Sequence, residues 1–120
     1  MIKKILVAED NKYEREGLAT LLTSENYEVF TVENGRFALE KLQDEEFDLV
    51  ITDLMMPATD GLQFLHKLRS NGSSMPVIVI TGNETLQSML SAYQLGAVDV
   101  LYKPFDFAEL LETIKRVTTN

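Results

Sequence analysis

Five side chains in this sequence could do chemistry together if the fold brought them to one place: the acidic pair Glu9-Asp10, the aspartate Asp53, the hydroxyl of Thr81 and the amine of Lys103. Three carboxylates sharing a crevice repel, and at about 4 Å with an effective dielectric of about 20 each pair costs roughly 4 kcal/mol. Either some of them stay protonated, or a divalent cation sits among them. An all-oxygen donor set that leaves room for water suits Mg²⁺. A lysine and a hydroxyl add a point charge and a donor for phosphoryl oxygens. A carboxylate nucleophile beside a metal, a lysine and a hydroxyl makes an aspartyl-phosphate site, so the chemistry this set names is phosphoryl transfer to Asp53.

The elements that would position them can be read from two alternating periods. Ile5 to Ala8 is a short apolar run, followed by Leu18, Leu21 and Leu22 at helical spacing, with Asn11 and Glu14 placed as a capping box. Tyr27 to Val32 is a mixed strand, and Asn34-Gly35 stops it before a helix carrying Ala38, Leu39 and Leu42. Leu49 to Asp53 is a third strand. Pro57 to Gly61 forms the following loop, and Asp60 opens a helix with Leu62, Leu65 and Leu68. Val77 to Ile80 is a fourth strand, Glu84 to Leu95 a helix closed by Gly96 as its left-handed cap, and Val98 to Tyr102 a fifth strand. Asp106 and Glu109 start a last helix with Leu110, Leu111, Ile114 and Val117 inward.

Strand and helix alternate five times with short connections, which predicts an α/β fold: a five-stranded parallel sheet with helices on both faces. The first, third and fourth runs are uninterrupted and suit the centre, while the second and fifth carry polar residues and suit the edges. That predicts the doubly wound order 2-1-3-4-5, with a crevice at the carboxyl ends of strands one and three. Glu9, Asp10, Asp53, Thr81 and Lys103 all follow or end strands, so all five fall on that rim.

Composition narrows the classes. A chain of 120 residues, 45% hydrophobic and 25% charged, fits one domain with one core. Without cysteine there is no disulfide, thiolate metal site or thiol catalysis, and a reducing cytoplasmic interior is the expected compartment. The apolar run after Lys3 and Lys4 is too short for a signal segment, and nothing approaches a membrane span. Eleven Lys and Arg against nineteen Asp and Glu give a net charge of −8, which repels phosphate backbones and anionic lipid. Direct binding of nucleic acid or membrane by this chain is therefore not expected.

Taken in order, the residues Glu9-Asp10, the block Asp53-Leu54-Met55-Met56-Pro57 with Gly61 eight residues after the aspartate, Thr81-Gly82, Gly96-Ala97 and Lys103-Pro104-Phe105 resemble a receiver domain of bacterial two-component response regulators. The resemblance runs along essentially all of residues 1–120. It implies that Asp53 accepts a phosphoryl group from a phosphohistidine on a sensor histidine kinase or phosphotransfer protein. It also implies Mg²⁺ held by Asp10, Asp53 and the backbone carbonyl of Met55, with Glu9 acting through water. Lys103 would contact a phosphoryl oxygen, Thr81 would move toward the phosphoryl group, and the Lys103-Pro104 bond would be cis. On this reading the domain is a regulatory switch that assists its own phosphorylation and turns over no external metabolite.

Plainer roles compete for some of these residues. Asp10 beside Asn11 could help to cap the first helix, and Thr81 with Glu84 has capping-box spacing. His66, without a carboxylate at helical spacing, reads as exposed rather than as a phosphodonor. Three departures from the family pattern stand out. Glu9 replaces an aspartate, Gly82 replaces a small residue that is usually alanine, and Val100 lies where many receivers carry an aromatic. Tyr102, nearby, is read as having the opposite strand parity. On the fourth helix Ala92, Gly96 and Leu90 are assigned inward, leaving Leu86, Met89 and Tyr93 as an outward stripe for an effector or dimer partner. Two other classes stay open: a metal-dependent phosphatase or phosphotransferase, and an interaction module with a vestigial site.

Overall fold

Every predicted strand forms, and all five join one sheet. The computed structural model describes residues 4–54, 61–82 and 86–118, with the side chains at 86, 88 and 118 outside that description. The elements are β1 (Lys4–Ala8), α1 (Lys12–Ser24), β2 (Glu28–Val32), α2 (Gly35–Asp44), β3 (Leu49–Asp53), α3 (Gly61–Ser70), β4 (Val77–Thr81), α4 (Leu86–Gln94), β5 (Asp99–Tyr102) and α5 (Phe107–Thr118). The sheet is parallel throughout with the order β2-β1-β3-β4-β5. The uninterrupted apolar runs β1, β3 and β4 are indeed central, because a strand covered on both faces has no position for a solvated side chain.

The pleat divides the core in two. Leu6, Val50, Val77 and Val79 pack with Ala38, Phe64, Leu65 and Ala92 under α2, α3 and α4. Ile5, Val7, Leu49, Ile51, Ile78 and Ile80 pack with Leu18, Leu22, Leu110 and Ile114 under α1 and α5. At about 1.5–3 kcal/mol for each fully buried aliphatic side chain, these two layers fix the register, since a slip of one residue would exchange them.

Local signals start and stop the helices. Asn11 Oδ1 accepts the Glu14 N–H at 3.0 Å, and Asn34 Oδ1 accepts the Phe37 N–H at 2.9 Å. Gly96 has φ +91, the left-handed conformation that ends α4. A Cβ there would also lie 2.8 Å from Arg69 Nε. Arg69, in the last turn of α3, donates to the carbonyls of Leu95 at 3.2 Å, Ser73 at 3.1 Å and Gly96 at 2.9 Å. One guanidinium thus joins α3, the loop after it and the C-terminal end of α4, where a cation also meets the negative end of the helix dipole.

Three expectations need correction. Leu90 is 49% exposed and not part of the core, because at 100° per residue it lies almost opposite the buried Ala92. Met89 is half-buried and Tyr93 is 43% exposed, its hydroxyl donating to Asp99 Oδ1 at 3.0 Å. Val100 and Tyr102 do not differ in parity. They are two residues apart in a strand of period two, and both pack on the layer under α2, α3 and α4. The Asn11 and Glu14 pair forms only half of a capping box. The Asn11 N–H donates to Glu9 Oε2 at 3.1 Å, and the Glu14 carboxylate turns to Lys103. Met55, Met56, Pro57, Asp60, Glu84 and the Leu86 side chain lie outside the described residues.

Candidate functional site

The crevice is built where three central strands end. β1 runs on into Glu9, whose N–H donates to the Val32 carbonyl at 3.1 Å and whose side chain is fully buried. Asp10, the next residue, is exposed. Arg15 on the first turns of α1 donates to the Glu9 carbonyl at 2.9 Å and the Asp10 carbonyl at 3.3 Å, holding this corner against the helix. β3 ends in the buried Asp53. The chain returns at once to it through Gly61, whose N–H donates to the Leu54 carbonyl at 2.9 Å. A Cβ on Gly61 would stand 2.5 Å from the Asp53 carbonyl oxygen and 2.7 Å from Leu54 Cα. Only glycine lets α3 begin so close to the acidic strand end.

Thr81 closes β4, is buried, and faces Tyr102 in register. Its carbonyl accepts the Lys103 N–H at 2.8 Å, so the end of β5 is carried to the same rim. The Lys103-Pro104 peptide is cis. Lys103 Nζ stands 2.6 Å from Asp53 Oδ2, 3.0 Å from Glu9 Oε1 and 3.2 Å from Glu14 Oε1. The carboxylates of Glu9, Asp10 and Asp53 each offer an oxygen within 4.8 Å of the others.

Among the described residues charge here is unbalanced, with four carboxylates around one ammonium. Burial, helped by the neighbouring Asp53, pushes the Glu9 carboxyl up to about 7 against the opposing pull of the Asn11 N–H and Lys103. For Lys103, burial works to lower the ammonium, but Asp53 and Glu9 more than offset it and hold the group above its usual value. A site that protonates one of its own acids near neutrality has unused capacity for positive charge. An all-oxygen set of this kind, open on the Asp10 side, suits a hard divalent cation with water in its shell.

Beside this crevice a cavity of about 490 Å³ is walled by Glu9 and Lys103 on one side and by Leu18, Leu21, Pro104 and Phe105 on the other. Leu21, which helical spacing assigned to the core, is 44% exposed and faces this opening.

Residues 5–115 match the family model described as the response regulator receiver domain. The chain belongs to this family. Its relatives include proteins named as response regulators. It is 36% identical over 112 residues to "Response regulator MprA" of Mycolicibacterium vanbaalenii, covering 93% of this chain and 48% of that protein. The chain thus spans about half the length of the curated relatives it matches. Among solved structures it superposes on a Francisella response regulator receiver domain with a TM-score of 0.91 at 27% identity, covering 96% of this chain and 95% of that one. The response regulator TrrA of Thermotoga maritima, solved in complex with Mg(2+)-BeF, gives a TM-score of 0.87 at 36% identity, covering 97% of this receiver and 99% of that chain.

The fold brings Glu9, Asp10, Asp53, Thr81 and Lys103 to one rim of this receiver, and His66 is exposed on α3 away from the core. Met55 lies outside the described residues. Sequence reasoning missed Glu14 and Arg15 as members of the site. Their signal was available, since the first turn of the helix after a rim residue sits on the same rim.

Proposed function

We propose that Asp53 accepts a phosphoryl group from the phosphohistidine of a sensor histidine kinase or phosphotransfer protein. An Asp53 carboxylate oxygen bonds to phosphorus as the P–N bond to imidazole breaks, and the departing imidazole takes a proton from solvent. The observation that carries this reading is the Lys103 ammonium fixed 2.6 Å from Asp53 Oδ2 in a buried, acid-rich crevice. Lys103 remains beside the acceptor to meet the added negative charge on a phosphoryl oxygen.

Asp10, Asp53 and the carbonyl of Met55 would hold Mg²⁺, with Glu9 acting through water. When bound, the ion supplies the positive charge that lets three carboxylates and a phosphoryl group share the site. TrrA, solved with Mg(2+)-BeF, supports the same choice of metal. Glu9, buried and bonded to both Asn11 and Lys103, orients the lysine. Thr81 offers its hydroxyl from the end of β4.

The reading makes residues 1–120 a cytoplasmic phosphorylation switch that turns over no external metabolite and binds neither nucleic acid nor membrane directly. Among the described residues no helix is long and apolar enough to cross a membrane. The apolar wall of Leu18, Leu21, Pro104 and Phe105 beside Lys103 is where the phosphodonor protein approaches. The effector or dimer face is α4 with β5, where Leu90, Tyr93 and Val98 are exposed beside the half-buried Met89. Leu86 belongs to the same expected face.

Incubation with Mg²⁺ and a small phosphodonor such as acetyl phosphate, followed by intact mass, tests this. One base-labile phosphoryl group, absent in Asp53→Asn, is expected. Release of phosphate from many esters would instead indicate a phosphatase, and no addition with Mg²⁺ bound would indicate an interaction module.

A further inference from the structure

A cavity of about 580 Å³ opens at the amino end of the sheet, between the C-terminal halves of α2 and α3. Strands of five residues at about 3.3 Å each put it roughly 16 Å from the Asp53 rim, so the two places act on different ligands. Its floor is Leu39, Leu42, Phe47, Leu68 and Met75. All five belong to the layer under α2, α3 and α4, yet Leu39, Leu42 and Met75 are only half-buried. The core is left partly open here.

The wall supplies charge. Lys4, Glu45, Glu46 and Asp48 line it, and Lys41 bonds Glu45 from beside the cavity at 2.8 Å, so three carboxylates stand against two ammonium groups, both of them on Glu45. Lys4 is already committed: its Nζ bonds Glu45 Oε2 at 2.8 Å and stands 5.0 Å from the Phe30 ring centroid and 4.8 Å from that of Phe47. Its backbone N–H donates to Asp48 Oδ2 at 2.9 Å. An incoming anion would meet an ammonium engaged with carboxylate and rings, and a net negative wall around it. An incoming cation would meet that wall's complement.

Size selects between kinds of occupant. The volume lies within the roughly 300–1,000 Å³ of small-molecule pockets. We propose that this cavity is a second ligand site, for a small organic cation: an ammonium or guanidinium group carried on an apolar body. The body would cover Leu39, Leu42 and Met75, and the cationic head would lie toward Glu46 and Asp48. The proposal stands independently of the phosphoacceptor reading.

The test is a ¹⁵N–¹H titration of the 120-residue chain with 2-phenylethylammonium, with neutral 2-phenylethanol and anionic 3-phenylpropionate as matched probes. The expected result is saturable shifts centred on Leu39, Leu42, Phe47 and Met75 with the cation, with the alcohol several-fold weaker and the anion inert. Glu46→Gln combined with Asp48→Asn, which keeps the acceptor for the Lys4 N–H, is expected to weaken the cation about fivefold, the upper scale of one exposed charge contact. Equal response to cation and alcohol, no saturation, or cation shifts confined to the Asp53 rim would each overturn the proposal.

Discussion

The two ends of the sheet each hold a cluster of lysine and carboxylate side chains, and in their ion pairs the two clusters are inversions of one another. At the amino end a single carboxylate, Glu45, is shared by two ammonium groups, Lys4 and Lys41, each at 2.8 Å. At the carboxyl end a single ammonium, Lys103, is shared by Asp53, Glu9 and Glu14. The lysine side chains are almost equally exposed, 25% for Lys4 and 23% for Lys103. What differs is the acids: Glu45 is 30% exposed, whereas Glu9 and Asp53 are 1% and 6%. Solvent settles the first cluster, whereas in the second, one ammonium serves three carboxylates among the described residues. Ion pairs of one composition therefore staple the surface in one place and leave a standing demand for positive charge in the other.

If that contrast is right, removing the lysine should matter at one end only. Lys103→Met takes the ammonium away from two buried carboxylates and is expected to lower unfolding stability by about 3 kcal/mol at pH 8 in chelator, the usual scale for removing one partner of a buried ion pair. The same variant is expected to take up phosphoryl from acetyl phosphate at least about a hundredfold more slowly. Urea unfolding and intact mass read the two effects.

Gly61→Ala probes packing at the same rim rather than charge. A methyl 2.5 Å from the Asp53 carbonyl forces the backbone apart, and a loss of about 1–3 kcal/mol in urea unfolding is expected.

Glu9→Gln should act in the opposite direction, and its pH dependence has a definite sign. The folded carboxyl is raised from 4.5 to about 7, so the folded state binds the proton more tightly than the unfolded state. The wild type is then free of penalty below about pH 4.5 and loses stability as pH rises toward 7. In chelator, the variant should match the wild type near pH 4.5 and exceed it by about 1–2 kcal/mol above pH 7. A constant gap across that range would remove the buried carboxyl as the cause.

Lys4→Met is the smallest of the four. A slight fall in melting temperature with phosphoryl uptake unchanged is expected, and a fall comparable to that of Lys103→Met would erase the distinction between the two ends.

Much of this arrangement was legible before any coordinates. β3 runs from Leu49 to Asp53 as the apolar run indicated, because a continuous hydrophobic stretch that stops at a carboxylate has only one way to end in a parallel sheet. The strand order followed from which runs were interrupted. Asp53, Thr81 and Lys103 were legible as strand ends converging on one rim. Less legible was anything set by a side chain's choice between partners. Glu14 has the spacing to complete a capping box, but Glu9 already takes the Asn11 N–H and the Glu14 carboxylate turns to the Lys103 ammonium instead. Leu21 and Leu90 look apolar enough for the core, yet helix rotation alone decides their faces. Tyr102 was misplaced against a rule that the sequence itself supplies, since residues two apart in a strand share a face.

The Arg69 clamp has a mechanical consequence. Its three bonds to Leu95, Gly96 and Ser73 fasten the last turn of α4 and leave the first turn to other contacts. Any displacement of α4 that preserves them is a swing about Gly96, with the helix as a lever arm. Nine residues at 1.5 Å make that arm about 13 Å, so a tilt of about 10° carries the N-terminal end of α4 through roughly 2 Å while the clamped end scarcely moves.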